Sequence, residues 1–156
     1  MTDTLEAGSP APDFTLPVKG GDTVSLAALK GRKVVLYFYP KDDTPGCTTE
    51  AIDFTARLAD FEAAGASIVG VSRDSLAAHD RFATKHNLGI VLGADTDGAV
   101  TEAYGVWVEK MNYGRKYFGI ERATFLIGAD GRIARIWRKV KVKGHADEVL
   151  AAVQAL

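Results

Sequence analysis

The run Lys33-Val34-Val35-Leu36-Tyr37-Phe38-Tyr39-Pro40-Lys41-Asp42-Asp43-Thr44-Pro45-Gly46-Cys47-Thr48-Thr49-Glu50 decides how this chain is read. Its first seven residues are mostly β-branched or aromatic. A stretch apolar on both faces predicts a central strand covered on both sides. Pro40 has no N–H to give to a ladder and ends that strand. A helix is expected next, over residues 45 to 64. Thr44 suits its N-cap and Pro45 its first helical position. Ala51, Phe54, Leu58 and Phe61 recur at three- and four-residue spacing and make one apolar face. Gly65 suits the C-terminal cap.

Cys47 is the single cysteine, and it falls in the first turn of that helix. Unpaired backbone N–H groups and the helix dipole favour a thiolate there, and the thiolate is the reactive form. Thr44 stands one turn earlier, where its hydroxyl is free to turn toward a ligand near sulfur. Gly46 leaves little bulk over the helix start. These residues suit a nucleophilic thiol. A buried cysteine acting as a small hydrophobe is the competing reading of the same position.

Outward from this core the pattern alternates. Residues 1–12 read as an extended lead-in, and Asp13-Phe14-Thr15-Leu16 as a short strand. Gly20-Gly21-Asp22 signals a turn before Val24-Ser25-Leu26. Residues 67–72 form a second buried strand. A helix is expected over 75–86 with Ser75 as cap and Leu76, Phe82 and Ala83 inward. Residues 89–92 form a short strand, and Asp97 to Tyr104 a short helix stopped by Gly105. Residues 106–121 read as irregular. The stretches 123–127 and 132–137 flank Asp130-Gly131, which marks a hairpin. A last helix runs from Gly144. The order predicts one α/β domain over residues 1–156 with a mixed sheet.

Composition bounds the function. The chain has 156 residues, 47% hydrophobic and 25% charged, with a net charge of −1. That length suffices for a sizeable core. The balance argues against a nucleic-acid or membrane-surface partner. No apolar run approaches the roughly 20 residues of a membrane span. The acidic N-terminus lacks the features of a signal peptide, so the reducing cytoplasm is the expected compartment. One cysteine excludes an internal disulfide and any multi-cysteine zinc site. His79, His86 and His145 are dispersed, so no metal and no cofactor is expected. Asp95-Thr96-Asp97-Gly98 reads as a turn into a helix cap. The basic run Arg132 to Lys143 reads as strand alternation with solvated charges, with a docking surface for an acidic reductase as the other reading.

Pro40-x-x-x-Thr44-x-x-Cys47 matches the peroxiredoxin active-site pattern. The longer run from Tyr37 to Glu50 resembles the bacterioferritin comigratory protein, or peroxiredoxin Q, subfamily. Residues 70–75, 119–127 and 137–142 resemble it too, so the similarity spans essentially the whole chain. The resemblance implies a thioredoxin-like fold, a central mixed sheet flanked by helices with an N-terminal extension. It implies that Cys47 is the peroxidatic cysteine and that Thr44 orients peroxide and sulfur. Pro40 would shield the pocket, Arg122 would stand beside the thiolate, and Gly46 would border the substrate. The implied activity is thiol-dependent reduction of hydrogen peroxide and organic hydroperoxides through a Cys47 sulfenic acid. Subfamily members often carry a resolving cysteine in one of two places. Ile52 and Ala83 occupy them here. An external thiol is therefore expected to recycle Cys47: thioredoxin, glutaredoxin or glutathione. A monomer is expected. A redox sensor or holdase using the same sulfur chemistry is the alternative.

Overall fold

The computed structural model describes residues 5–156. Met1–Thr4, the start of the expected lead-in, lie outside the described residues. Three strands run parallel: β3 (Lys33–Phe38), β4 (Ala66–Ser72) and β5 (Val91–Ala94). β8 (Ala123–Ile127) and β9 (Ile133–Trp137) extend the sheet antiparallel on the other side of β3. The order is β5-β4-β3-β8-β9, so β3 is central.

The two-sided apolar run of β3 explains that position. Alternate side chains of a strand point to opposite faces. Val34, Leu36 and Phe38 pack with Phe14, Val69 and Phe125 on one face. Val35, Tyr37 and Tyr39 pack with Phe54, Phe61, Phe82 and Val149 on the other. The second face is covered by α1 (Pro45–Ala56), α2 (Leu58–Ala63), α3 (Leu76–His86) and α5 (His145–Ala155). The first is covered by α4 (Ala99–Ala103) and the N-terminal hairpin of β1 (Thr15–Pro17) and β2 (Thr23–Ser25). This is the expected thioredoxin-like arrangement. Among the described residues, no helix is long and apolar enough to cross a membrane.

Three local expectations are corrected. The single helix over 45–64 is two, because Arg57 leaves the helical region at φ −106°, ψ 7°. Its guanidinium donates to the Asp53 carbonyl at 2.9 Å and to both carboxylate oxygens of Asp147, which offsets the lost helical bonds. Residues 106–121 are not irregular. They form the antiparallel pair β6 (Trp107–Asn112) and β7 (Arg115–Ile120). Tyr113 and Gly114 both take positive φ, 52° and 75°, which is the twist a two-residue hairpin needs. The strand expected at 89–92 is shifted to Val91–Ala94.

Candidate active site

Two segments far apart in sequence meet at the carboxyl end of β3. One is the loop Tyr39–Thr44, which delivers the chain into α1. The other is the entry to β8. Ala123 pairs with Phe38 in the antiparallel register, so Arg122 emerges beside the exit from β3. There the Arg122 side chain turns toward α1. Its Nη2 donates to Cys47 Sγ at 3.4 Å, and its Nη1 donates to Glu50 Oε1 at 2.6 Å. Cys47 and Glu50 are both buried, and Cys47 carries no disulfide.

Gly46 makes this approach possible. A Cβ there would stand 3.1 Å from Arg122 Nη2. Thr44 occupies the position before α1 with an extended backbone, and its carbonyl accepts from Thr48 N–H at 2.9 Å. Its hydroxyl does not cap the helix as expected. It donates instead to the Lys41 carbonyl at 2.8 Å, which leaves its oxygen lone pairs free to accept. Pro40 is exposed at the end of β3. Ile52 is exposed on α1, and Ala83 lines a separate cavity of about 230 Å³ on α3 with His79 and Leu88.

Sequence reading missed Glu50 and the histidine network. Burial raises the Glu50 carboxyl to about 7, against the opposing pull of the Arg122 charge and hydrogen bond. Its Oε1 is held by Arg122, while Oε2 has no protein partner. A glutamate one turn after Cys47 was visible in the sequence, but its inward direction was not.

The second network ties the loop between β3 and α1 to α3. Tyr39 donates its hydroxyl to Asp42 Oδ1 at 2.6 Å, and His79 Nδ1 lies 2.5 Å from Asp42 Oδ2. His79 Nε2 faces the Gly93 carbonyl at 3.0 Å. An acceptor at each ring nitrogen favours the cationic imidazole. Burial pulls its titration down, and the Asp42 hydrogen bond and charge, with the Gly93 carbonyl and the Asp74 charge, together outweigh that and raise it. Asp42 N–H donates to Asp74 Oδ2 at 2.9 Å, and Ser72 donates to the same oxygen at 2.6 Å. Asp42, Asp74 and His79 bring ligand-type atoms within 4.8 Å of one another. Each of these residues is already engaged in hydrogen bonds within the protein, so the cluster acts as a polar brace. Outside it, Asp43 is exposed and pairs with Lys85 and His86 at 2.8 Å each.

His145 is different again. Burial is the main cause that lowers its titration to about 4, so it is neutral at physiological pH. Its Nε2 shares a hydrogen bond of 2.8 Å with the Thr124 hydroxyl under the start of β8. Asp95 accepts from Val100 N–H and Thr101 N–H, the helix-cap role expected of that turn.

A mixed sheet of this order, with a lone thiol at the start of the helix after its central strand, defines a thioredoxin-like thiol protein. The chain belongs to the AhpC/TSA family, whose pattern matches residues 7–136, and its near relatives are peroxiredoxins. The putative peroxiredoxin bcp of Coxiella burnetii is 52% identical over 147 residues, covering 94% of this chain and 97% of the relative. Peroxiredoxin Bcp of Bacillus subtilis is 50% identical over 151 residues, covering 97% and 96%. A solved structure of Xanthomonas campestris peroxiredoxin Q superposes with a TM-score of 0.89 at 50% identity, covering 97% and 96%. Another structure of the Xanthomonas protein, a bacterioferritin comigratory protein, was described for alkyl peroxide reduction. Two different cysteine-to-serine mutants of that protein have been solved, so it carries at least two cysteines where this chain has one.

Proposed function

We propose that this chain is a thiol-dependent peroxidase reducing hydrogen peroxide and organic hydroperoxides at Cys47. The observation that carries the reading is the guanidinium of Arg122, 3.4 Å from Cys47 Sγ and anchored at its other nitrogen by Glu50. A guanidinium stays charged and presents donors in a rigid fork. Beside sulfur it stabilises the thiolate and offers a donor to the peroxide. The thiolate attacks the terminal oxygen of ROOH, and the O–O bond breaks. The OH passes to sulfur as Cys47 sulfenic acid, and RO⁻ leaves and takes a proton from solvent. Donors aimed at that growing charge lower the barrier most where water is excluded, as around a buried cysteine. In this scheme Thr44 accepts from the peroxide O–H through its free lone pairs. Gly46 keeps the approach open, and Pro40 borders the entrance. Residues 1–156 act as one domain, as a monomer in the cytoplasm.

Recycling needs an outside thiol: thioredoxin, glutaredoxin or glutathione. Ile52 and Ala83 fill the two places where a resolving sulfur would sit, and Cys47 has no sibling. The names of the relatives favour peroxidase turnover over a sensor or holdase role. The test is peroxide consumption by purified protein. With dithiothreitol, turnover is sustained. Without thiol, consumption stops after a stoichiometric burst. Sustained turnover without any thiol would overturn the external-reductant reading, and no burst at all would overturn the peroxidase.

A further inference from the structure

The recycling step leaves open which thiol reaches Cys47, and the face beside Arg122 bears on it. The loop after β9 and the first turn of α5 enclose a groove of about 350 Å³. Arg138, Lys139, Lys141, Lys143, His145 and Glu148 are among its walls. Arg138 is paired with Glu121 at 2.9 Å. Lys139, Lys141 and Lys143 are exposed, and none makes an ion pair among the described residues. Glu148 accepts from the neutral Trp137 Nε1 at 2.9 Å and is the one carboxylate on the walls, against the three lysines. Lysines thus outnumber carboxylates three to one around a groove in a chain whose net charge is −1.

The wall of the groove is tied by a backbone hydrogen bond to the residue whose side chain holds the sulfur. Val140 N–H, in the middle of the lysine run, donates to the Arg122 carbonyl at 3.0 Å. Arg122 in turn reaches Cys47. A volume of this order takes a small molecule of peptide size, and alternate lysines suit more than one carboxylate.

We propose that this groove binds a small thiol bearing carboxylates, of the glutathione class, as the reductant of oxidised Cys47. The inference rests on the peroxidase reading above. Carboxylates on Lys139, Lys141 and Lys143 place the thiol on the Arg122 side. The first thiol condenses with the sulfenic acid: Cys47–SOH and RSH give Cys47–S–SR and water. A second thiol attacks the mixed disulfide, releasing RSSR and restoring the Cys47 thiol.

The test compares glutathione with 2-mercaptoethanol as reductant for the full chain at low salt. The charge-reversed variant Lys139→Glu/Lys141→Glu/Lys143→Glu is measured beside the unaltered protein. Thiol reactivity differs between the two reagents, but it cancels when each is compared across the two proteins. The ratio of the glutathione rate to the 2-mercaptoethanol rate is expected to fall about tenfold in the variant. In the unaltered protein, added potassium chloride lowers the glutathione rate selectively. An unchanged ratio overturns the proposal. So does a loss seen only with an acidic protein of thioredoxin type as reductant, because the groove then serves a protein partner. If the unaltered protein consumes no peroxide with either thiol, the peroxidase reading itself fails.

Discussion

Arg122 uses its two terminal nitrogens for different tasks, one toward Cys47 and one toward Glu50. Arg122→Ala is expected to slow peroxide-dependent oxidation of Cys47 by about 10²-fold, the usual loss of one preorganised donor. Arg122→Lys recovers only part of the rate, because an ammonium cannot hold both partners in one plane. Stopped-flow oxidation of the reduced protein measures both. Glu50 carries a pH signature. Its carboxyl rises from 4.5 to about 7 on folding. The unfolded chain therefore releases this proton first, and folding stability from this group falls as pH rises between those values. The full span amounts to about 3 kcal/mol. Glu50→Gln removes that dependence. Denaturant unfolding of both proteins from pH 4.5 to 8 is expected to show the variant gaining relative stability toward the alkaline end.

At the scale of elements, the helix α3 and the loop between β3 and α1 are held together by Asp42 and His79. His79 titrates above its ordinary 6.5 in the folded protein. Its contribution is therefore complete below about pH 6.5 and is lost as pH rises through the elevated folded value. His79→Leu leaves the Asp42 carboxylate buried without its cation and is expected to cost about 3 kcal/mol near pH 6. The deficit shrinks as pH rises, which unfolding at pH 6 and 9 checks. The pairing of β3 with β4 depends on a smaller feature. Tyr37 lies opposite Gly70, and a Cβ on Gly70 would meet the Tyr37 ring at 2.7 Å. That ring also stacks on Phe54 at 4.8 Å. Gly70→Ala is expected to cost 1–3 kcal/mol by overpacking, read from the urea midpoint.

For the whole molecule, the lone sulfur sets the fate of the oxidised protein. With no second cysteine, sulfenic acid that meets no external thiol advances to the sulfinic state with more peroxide. Mass spectrometry after excess peroxide is expected to find Cys47 carrying two added oxygens, and added glutathione beforehand to divert it to a mixed disulfide. A cross-linked disulfide dimer as the main product would count against a site that small thiols reach first.

Much of this architecture was readable in the chain. The apolar run 33–39 announced a strand buried on both faces, because only a central strand gives both sides of its pleat to the core. Asp130-Gly131 announced the β8–β9 hairpin through its turn chemistry. The Pro40, Thr44 and Cys47 spacing carried the resemblance on which the proposed role of Cys47 rests. What escaped the sequence were non-local facts. The break at Arg57 depends on Asp147 from α5. The β6–β7 hairpin turns on Tyr113-Gly114, a weaker signal than Asn-Gly. The His79 brace looked like one of three scattered histidines until β5 and the loop after β3 closed around it. Sequence by itself determined the lone thiol, its place at a helix start and the absence of a second thiol, because these are local or countable. Only the tertiary structure decided that Arg122 meets Cys47, that Glu50 points inward and that Asp42 pairs with His79. Those contacts join residues many positions apart through strand register and burial, and no local pattern encodes them.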